Sequence, residues 1–518
     1  MKKILLFIVM LFPTLIYAQS VEPQVEWFKI YDGPGNGVDL TNDIIIDRYN
    51  NIYLAGRSGG SDGSQDLLVL KYSSSGDSLL NIRYSSASQQ WDEAFSIAVD
   101  SNLNFYVIGN TDFSQVIFNK YSISGELLWA KSFSSEGVIV ILNSKEEPIV
   151  GLNQSAAKIL KYSPSGDSLW SVIVEYDTST YSVNYIAVDQ NDYIYAGIQQ
   201  FYGGDRGDLP SSKIVLLKIS DSGDLIWEKR FDIPLIKKII FDKEGNPILL
   251  ASETLILKLN SEGDTLWSKE YPFGDIIVST DLAVDSENDI VFTGYGLGNT
   301  SWDYYTKKIS SDGQQIWSTT FDSDEGLRDF AHSLVIDNED NIYVTGGTSD
   351  VVSVGYCYTL KYSGDGELKW KMKFDAPNSE FEYGNKIFLD DSNNVLIGGD
   401  VAGSTNGWNF LAFKINQNKS TGVEANNSYA PAEYFLSQNY PNPFNPVTKI
   451  NFSIPQSSDV KIEVYDILGR FIFELFNEYL NTGNYNIDFD ASDLPSGTYF
   501  YKLSAGANIL VKKAVLIK

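Results

Sequence analysis

The sequence predicts an all-β protein: an eight-bladed β-propeller closed by its own N-terminal strand, followed by a small Ig-like β-sandwich. Three observations carry this reading. The first is an internal repeat, in which an apolar strand ending in Asp is followed by a turn, a second strand ending near Gly, and then apolar-Lys-x4-Gly-Asp/Glu-x2-Trp. Its lysine recurs as Lys71, Lys120, Lys161, Lys218, Lys258, Lys308, Lys361 and Lys414, a period of about 40 to 57 residues, and such a period built only from short strands marks a radially repeated sheet. The second is that the eighth repeat stops short of its Trp, while the mature N-terminus carries Trp27-Phe28-Lys29-Ile30-Tyr31. The missing strand is therefore expected from the N-terminus, which removes the open sheet edges. The third is a change of composition after Lys414, with six short alternating strands at the C-terminus, as a small sandwich requires.

Taken in order, residues 1–18 read as a secretory signal peptide, with Lys2 and Lys3 before an apolar run too short to span a bilayer. Residues 19–417 form the expected propeller, 418–433 a polar linker and 434–518 the C-terminal module. No later stretch approaches twenty apolar residues, so no integral membrane span is expected after signal removal. Cys357 is the only cysteine, which excludes an internal disulfide and points to a buried, inert thiol. The net charge is −28, yet eight acidic and seven basic residues from position 434 onward leave only −1 there. The repeat region thus carries the negative field, which opposes nucleic acid and anionic membranes.

Within the repeat beginning at Phe95, strands are expected at Ile97–Asp100, Asn104–Gly109, Val116–Tyr121 and Leu127–Phe133, here named A, B, C and D. The strand A acid recurs as Asp47, Asp100, Asp189, Asp242, Asp285, Asp337 and Asp390, with Asn143 in the third repeat. These resemble fragments of a calcium loop, but the full ligand spacing is missing, so an Asx-type turn is expected. The Gly of each C-to-D turn takes positive φ without steric cost. Trp follows that Gly by four in six repeats, and residues four further on, such as Phe133, Phe231 and Phe374, share its face. These indoles are expected to fill gaps between blades.

The phrase Asp-x2-Gly-Asn-x-Tyr-x2-Gly, seen in the stretches 47–56 and 337–346, resembles secreted bacterial β-propeller repeats. The Gly-Asp-x2-Trp phrase resembles the tryptophan-docking motif of quinoprotein-like propellers. The resemblance implies fold, since such motifs serve many functions, and a quinone cofactor is not expected with one cysteine.

The C-terminal module resembles the type A sorting domain of the type IX secretion system. Its motif is Asn439-Tyr440-Pro441-Asn442-Pro443-Phe444-Asn445-Pro446, followed by Val464 to Arg470 around Gly469 and by Leu494-Pro495-Ser496-Gly497-Thr498-Tyr499. That resemblance implies export across the outer membrane, secreted or cell-surface placement, and the type IX machinery as partner.

Loop lengths locate a site. The A-to-B and C-to-D turns are nearly constant, whereas the B-to-C interval runs from 7 (Ala251 to Lys258) to 21 (Gly197 to Lys218). The D-to-A interval runs from 10 (Phe133 to Asn143) to 16 (Tyr84 to Asp100). Because strands alternate direction, all of this variation lies on one face, where binding residues concentrate. Trp91, Trp302 and Trp408 fall outside the packing register and map to that face with Asp92, Glu93, Asp303 and Asn409 beside them. They are candidate ligand residues for a glycan or peptide, or else covers for blade tops. His332, the sole histidine, is expected near the same end of a strand A, as a channel-lining or ligand residue. Asp322, Asp324, Glu325, Asp329, Glu380 and Glu382 add carboxylates there. The leading reading is a non-enzymatic binding or adhesion module. The alternatives are a polysaccharide hydrolase or lyase using two of these carboxylates, or a structural envelope protein. No catalytic residue and no cofactor is assigned, and calcium is the one ion the acidic loops leave open.

Overall fold

Short runs of β-branched and aromatic residues between Asp, Asn, Ser and Gly turns leave no segment that can form a long helix, and the described chain is built of strands. The computed structural model describes residues 23–518 apart from 36, 87–90, 112–114, 135, 154–155, 176–179, 202–211, 273–276, 299–300, 324–326, 351–353, 378, 404–406, 418–422, 426–432, 481, 492–493 and 507. The expected signal peptide, most of the expected linker, and Asp324 and Glu325 lie outside the described residues.

The strands pair in antiparallel quartets, A to D. The first quartet is Leu40–Ile46, Ile52–Gly59, Gln65–Tyr72 and Ser78–Tyr84, and the second is Asp92–Val99, Phe105–Thr111, Gln115–Tyr121 and Leu127–Phe133. The third runs Glu136–Leu142, Pro148–Asn153, Ala157–Tyr162 and Ser168–Val174, and the fourth Thr180–Val188, Ile194–Phe201, Ser212–Ile219 and Leu225–Phe231. The fifth is Ile236–Phe241, Pro247–Ala251, Leu255–Leu259 and Thr265–Glu270, and the sixth Ile277–Val284, Ile290–Leu297, Trp302–Ile309 and Gln315–Phe321. These six are separate sheets. One further sheet of eight strands carries two more quartets, joined through the single pair Gly347 and Tyr383. The seventh is Arg328–Ile336, Ile342–Ser349, Cys357–Tyr362 and Leu368–Phe374. The eighth is Ser379–Leu389, Val395–Gly403, Gly407–Asn416 and the N-terminal strand Gln24–Tyr31. Trp27 pairs with Lys414 and Phe28 with Phe413, so the N-terminal strand occupies the D position of the last repeat.

Neighbouring quartets share apolar cores, such as Tyr53 and Val69 of the first against Ile97 and Phe105 of the second. The rim is stitched by polar contacts that repeat from quartet to quartet. Trp129 Nε1 and Lys120 Nζ both donate to the Pro164 carbonyl in the next C-to-D turn, at 3.2 and 3.1 Å. Trp170 with Lys161, Trp227 with Lys218, and Trp267 with Lys258 do the same to Asp221, Ser261 and Ser311. The indoles lie against the turn glycines: a side chain at Gly223 would meet Trp170 at 2.6 Å, and its φ of +92° already excludes most residues.

In five quartets the buried lysine is neutralised by the strand A acid of its own quartet, as in Lys258 with Asp242 at 2.8 Å and Lys120 with Asp100 at 3.3 Å. The same acids cap the A-to-B turn; Asp47 Oδ1 accepts the Tyr49 and Asn51 backbone N–H at 2.9 and 3.1 Å. These are Asx turns with a salt-bridge partner, and their oxygens are already engaged. The eighth repeat has no C-to-D turn to offer Trp370 and Lys361. Gln417 takes its place, accepting Lys361 Nζ at 3.0 Å and Trp370 Nε1 at 3.4 Å on one oxygen.

Each strand A carries a bulge, at Asn42, Phe95, Val138, Asn184, Lys237, Thr280, His332 and Asn385. The extra residue is left out of the ladder, and several of these side chains bridge to the neighbouring quartet's inner strand. Asn42 donates to the Ala94 carbonyl at 2.8 Å, Lys237 to Ser279 at 3.0 Å and Thr280 to Ala331 at 2.9 Å. His332 Nδ1 lies 3.2 Å from the Gly384 carbonyl.

The C-terminal region forms two four-stranded sheets around one core containing Ile450, Ile462, Phe489 and Tyr501. Residues 423–425, expected within the linker, pair instead with the strand Gly483–Asp490 and cover one of its edges. Asn439 is buried and donates to the Pro441 carbonyl and Thr448 Oγ1, both at 3.1 Å. The Asn442 side chain accepts Val515 N–H at 2.9 Å, and Phe444 is buried and pairs with the last strand. Pro441, Pro443, Asn445 and Pro446 carry the chain between these anchors at the surface. Gly469 closes the Asp466 turn at φ +76°, Gly497 opens a strand, and the Tyr499 hydroxyl donates to the Pro495 carbonyl at 2.7 Å. Tyr479 of this module stacks edge-on against Phe28 of the N-terminal strand, with ring centroids 5.5 Å apart.

Candidate ligand site on the variable-loop face

Three residues before the bulge, four consecutive quartets carry a fully buried acid: Asp329, Glu382, Asp39 and Asp92 in the seventh, eighth, first and second. Each accepts the backbone N–H of the residue six positions earlier, in the D-to-A loop. The pairs are Ser323 to Asp329 at 2.7 Å, Ala376 to Glu382 at 3.3 Å, Gly33 to Asp39 at 2.6 Å and Ser86 to Asp92 at 2.5 Å. The corresponding positions in the other quartets are Ser135, Tyr181, Pro234 and Ile277. A buried carboxylate that anchors a loop must be desolvated. Burial pushes Asp39 up, Asp329 to about 7 and Glu382 to about 8, with Asp322 and Asp375 respectively adding like charge to the last two. Asp92, Asp329 and Glu382 are therefore loop anchors, and their carboxyl groups face the protein interior.

Inside that anchored sector, a cavity of about 270 Å3 is lined by Leu40, His332, Tyr383, Asn385, Asp400 and Trp408. It lies among the seventh, eighth and first quartets, at the inner strands A into which their D-to-A loops run. The bulges place two of these groups, since His332 and Asn385 are the unpaired residues of adjacent strands A. Tyr383, Asp400 and Phe410 sit in one cross-strand row, and Phe381, Ala402 and Trp408 in the next row on the same face. Rings then gather: Tyr383 stacks on His332 with centroids 5.8 Å apart and planes at 28°, and Trp408 lies 5.5 Å from Tyr383 at 34° and 6.3 Å from Phe381 at 33°.

The polar groups of the cavity are held by hydrogen bonds from the chain around them. Asp400 accepts Thr41 N–H at 2.9 Å and Asn385 Nδ2 at 2.6 Å, and burial pushes its carboxyl up to about 6. Burial also lowers the pKa of His332, which favours the uncharged imidazole. Trp408 is fixed through its backbone, its carbonyl accepting Asp39 N–H at 2.6 Å.

The structure separates the other sequence-predicted residues. Trp91 donates to Glu93 at 3.0 Å and is capped by the Arg57 guanidinium 4.6 Å from its ring. Trp302 packs on Tyr295 and Phe330 beside the sixth and seventh quartets. No described residue accepts the indole N–H of Trp302 or Trp408, whereas the seven rim indoles and Trp91 each have an acceptor. Asp303 lies near Trp302 with Asp322 and Asp329, their ligating oxygens within 4.8 Å of one another. Three such carboxylates could hold a divalent cation, and acidic groups of this kind are also common without one. Asn409 alternates with Trp408 and so faces the other side of its sheet, buried beside Val401. Cys357 is buried, and its thiol is pushed up to about 12 by burial, leaving it unreactive. A larger cavity of about 470 Å3 lies between the second and third quartets against Phe133, Leu160 and Ile173, away from every one of these residues.

Residues 438–518 match the family model described as the secretion system C-terminal sorting domain, and residues 155–410 match that of the outer membrane protein assembly factor BamB. The solved Dos1 propeller is similar over 77% of this chain and 96% of its own, with a TM-score of 0.50 at 8% identity. The chain is a β-propeller protein with a secretion-system sorting tail. That tail marks it for secretion or the cell surface and implies contact with the type IX machinery. The polysaccharide lyase Uly1 is similar over 77% of this chain and 99% of its own, at 9% identity and a TM-score of 0.42. A fungal alcohol oxidase of the AA5 family, in complex with copper, covers 95% and 100% at 9% identity and a TM-score of 0.40. At these identities the likeness concerns fold alone. No curated protein matches the chain. Among the described residues no helix is long and apolar enough to cross a membrane.

Proposed function

We propose that this propeller protein is a secreted or surface-displayed binding or adhesion module, with eight blades formed by the eight quartets. Its ligand sits on the variable-loop face, in the cavity between the seventh, eighth and first blades. The mature chain is read as starting at residue 19, with the propeller ending at Gln417 and the sorting tail, an Ig-like sandwich, beginning at about 434. One observation carries the binding role: His332 and Trp408, remote in sequence, meet at the hub beside Tyr383, Asn385 and Asp400, a concave and mainly apolar site with a few convergent polar groups. Against hydrolysis, only one carboxylate, Asp400, lines this cavity among the described residues, whereas acid-base glycoside cleavage uses two.

The test is binding of the full secreted chain to glycan and peptide arrays, alongside a turnover assay on any glycan retained. Retention of at least one class without turnover, lost in Trp408→Ala, is expected. Turnover would replace the binding reading with an enzymatic one, and silence on all arrays would sink it.

A further inference from the structure

We propose that the hub cavity takes a single neutral sugar ring, stacked flat on the wall made by Trp408 and Tyr383. This rests on the binding-module reading and narrows its ligand class.

The wall comes first. His332, Tyr383, Trp408 and Phe381 lie with successive ring planes at 28°, 34° and 33°. No pair in this row is turned edge to face, as the rings that box in an alkylated ammonium ion are. The tilted faces of Trp408 and Tyr383 suit the flat C–H face of a pyranose. The indole N–H of Trp408 has no acceptor among the described residues, and a hydroxyl of a bound sugar would supply one.

Charge then narrows the class. Asp400 spends its oxygens on Thr41 and Asn385, and among the described residues no lysine or arginine lines the cavity. With a net charge of −28 concentrated on the propeller, a uronate or sulfated sugar would meet repulsion and find no cation to pair with. Size agrees. About 270 Å3 falls below the roughly 300–1,000 Å3 of sites for larger ligands, so one ring enters while the remainder of a chain stays outside.

The experiment is calorimetric titration of the full secreted chain with neutral gluco-, galacto-, manno- and xylo-oligosaccharides, with oligogalacturonate as the anionic arm and a peptide library as the third. At least one neutral sugar is expected to bind with Kd on the order of 1 mM. Trp408→Ala should weaken it at least tenfold and Trp408→Phe, which keeps a ring but loses the N–H, by about threefold. Ile173→Ser, in the larger cavity between the second and third quartets, should change it less than twofold. Circular dichroism and the thermal midpoint confirm that each variant folds. Peptide or uronate binding that depends on Trp408 would overturn the neutral-sugar assignment while leaving the binding module intact. Neutral-sugar binding untouched by Trp408→Ala would overturn the site. Silence in all three arms would take down both.

Discussion

The two halves of the ring differ in a way their rims conceal. At the rim, Trp129 and Trp170, like Trp27 and Trp317, dock on the next turn carbonyl at 2.9 to 3.2 Å. At the hub, the seventh, eighth, first and second quartets hold their D-to-A loops with buried acids, while the third to sixth have Ser135, Tyr181, Pro234 and Ile277 at those positions. The hub cavity opens in the anchored half. Repetition therefore reports assembly of the ring, and departure from repetition marks the sector that holds the proposed ligand cavity.

The comparison breaks most visibly at Asp39. Its carboxylate accepts Gly33 N–H at 2.6 Å and Gly59 N–H at 2.9 Å, so Asp39→Ala leaves two buried donors unpaired and should cost about 3 kcal/mol in urea unfolding. Tyr181→Phe, at the corresponding position of the fourth quartet, loses the hydroxyl that accepts from Gln200 and should cost about 1 kcal/mol. Equal costs would erase the distinction between the halves. At the rim the expectation reverses. Trp27→Ala and Trp129→Ala should each cost about 2 kcal/mol and agree within about 1 kcal/mol, because both half-buried indoles make the same docking contact.

A smaller effect separates the halves by pH. Glu382 titrates at about 8 in the fold against about 4.3 unfolded. The folded state thus keeps a proton that the unfolded chain releases. The resulting stability is complete below about pH 4.3 and is lost as pH rises through 8. Asp329, at about 7, adds a window from about 3.9 to 7. The thermal midpoint should fall between pH 5 and 9, and Glu382→Gln should flatten that fall and stabilise the protein at pH 9 by about 1 kcal/mol. A midpoint independent of pH in the parent would show the anchors to be ionised throughout. Least of all, Asp77→Asn and Asp167→Asn, on exposed C-to-D turns of the two halves, should shift stability by no more than about 0.5 kcal/mol.

Much of this was readable from residue spacing. The Lys-x4-Gly frame locates every C-to-D turn, and the orphan Trp27 points to the N-terminal strand that pairs with Gly407–Asn416. The loop anchors were also written in the sequence, as an acid three residues before the bulge, but a bulge becomes visible only when two strands are paired and counted against each other. Asp92 and Glu382 therefore read as surface carboxylates although they are buried. Gln417 was hidden for a different reason. It replaces a backbone carbonyl from outside the repeat register, and no periodicity leads to it. The hub cavity needs residues 40, 332 and 408 to meet, a contact that only ring closure creates. Trp91 and Trp302 share Trp408's departure from the repeat, and what distinguishes the three is whether Arg57, Phe330 or Tyr383 is the neighbour.

Hydrogen–deuterium exchange of the full secreted chain, with and without its retained ligand, locates the site most directly. Protection is expected to concentrate in the inner strands around residues 40–42, 330–334 and 381–385 and in the paired residues 400–403 and 407–408. Protection confined to the groove around residues 133–173, or to the constant turns on the opposite face, would contradict the account.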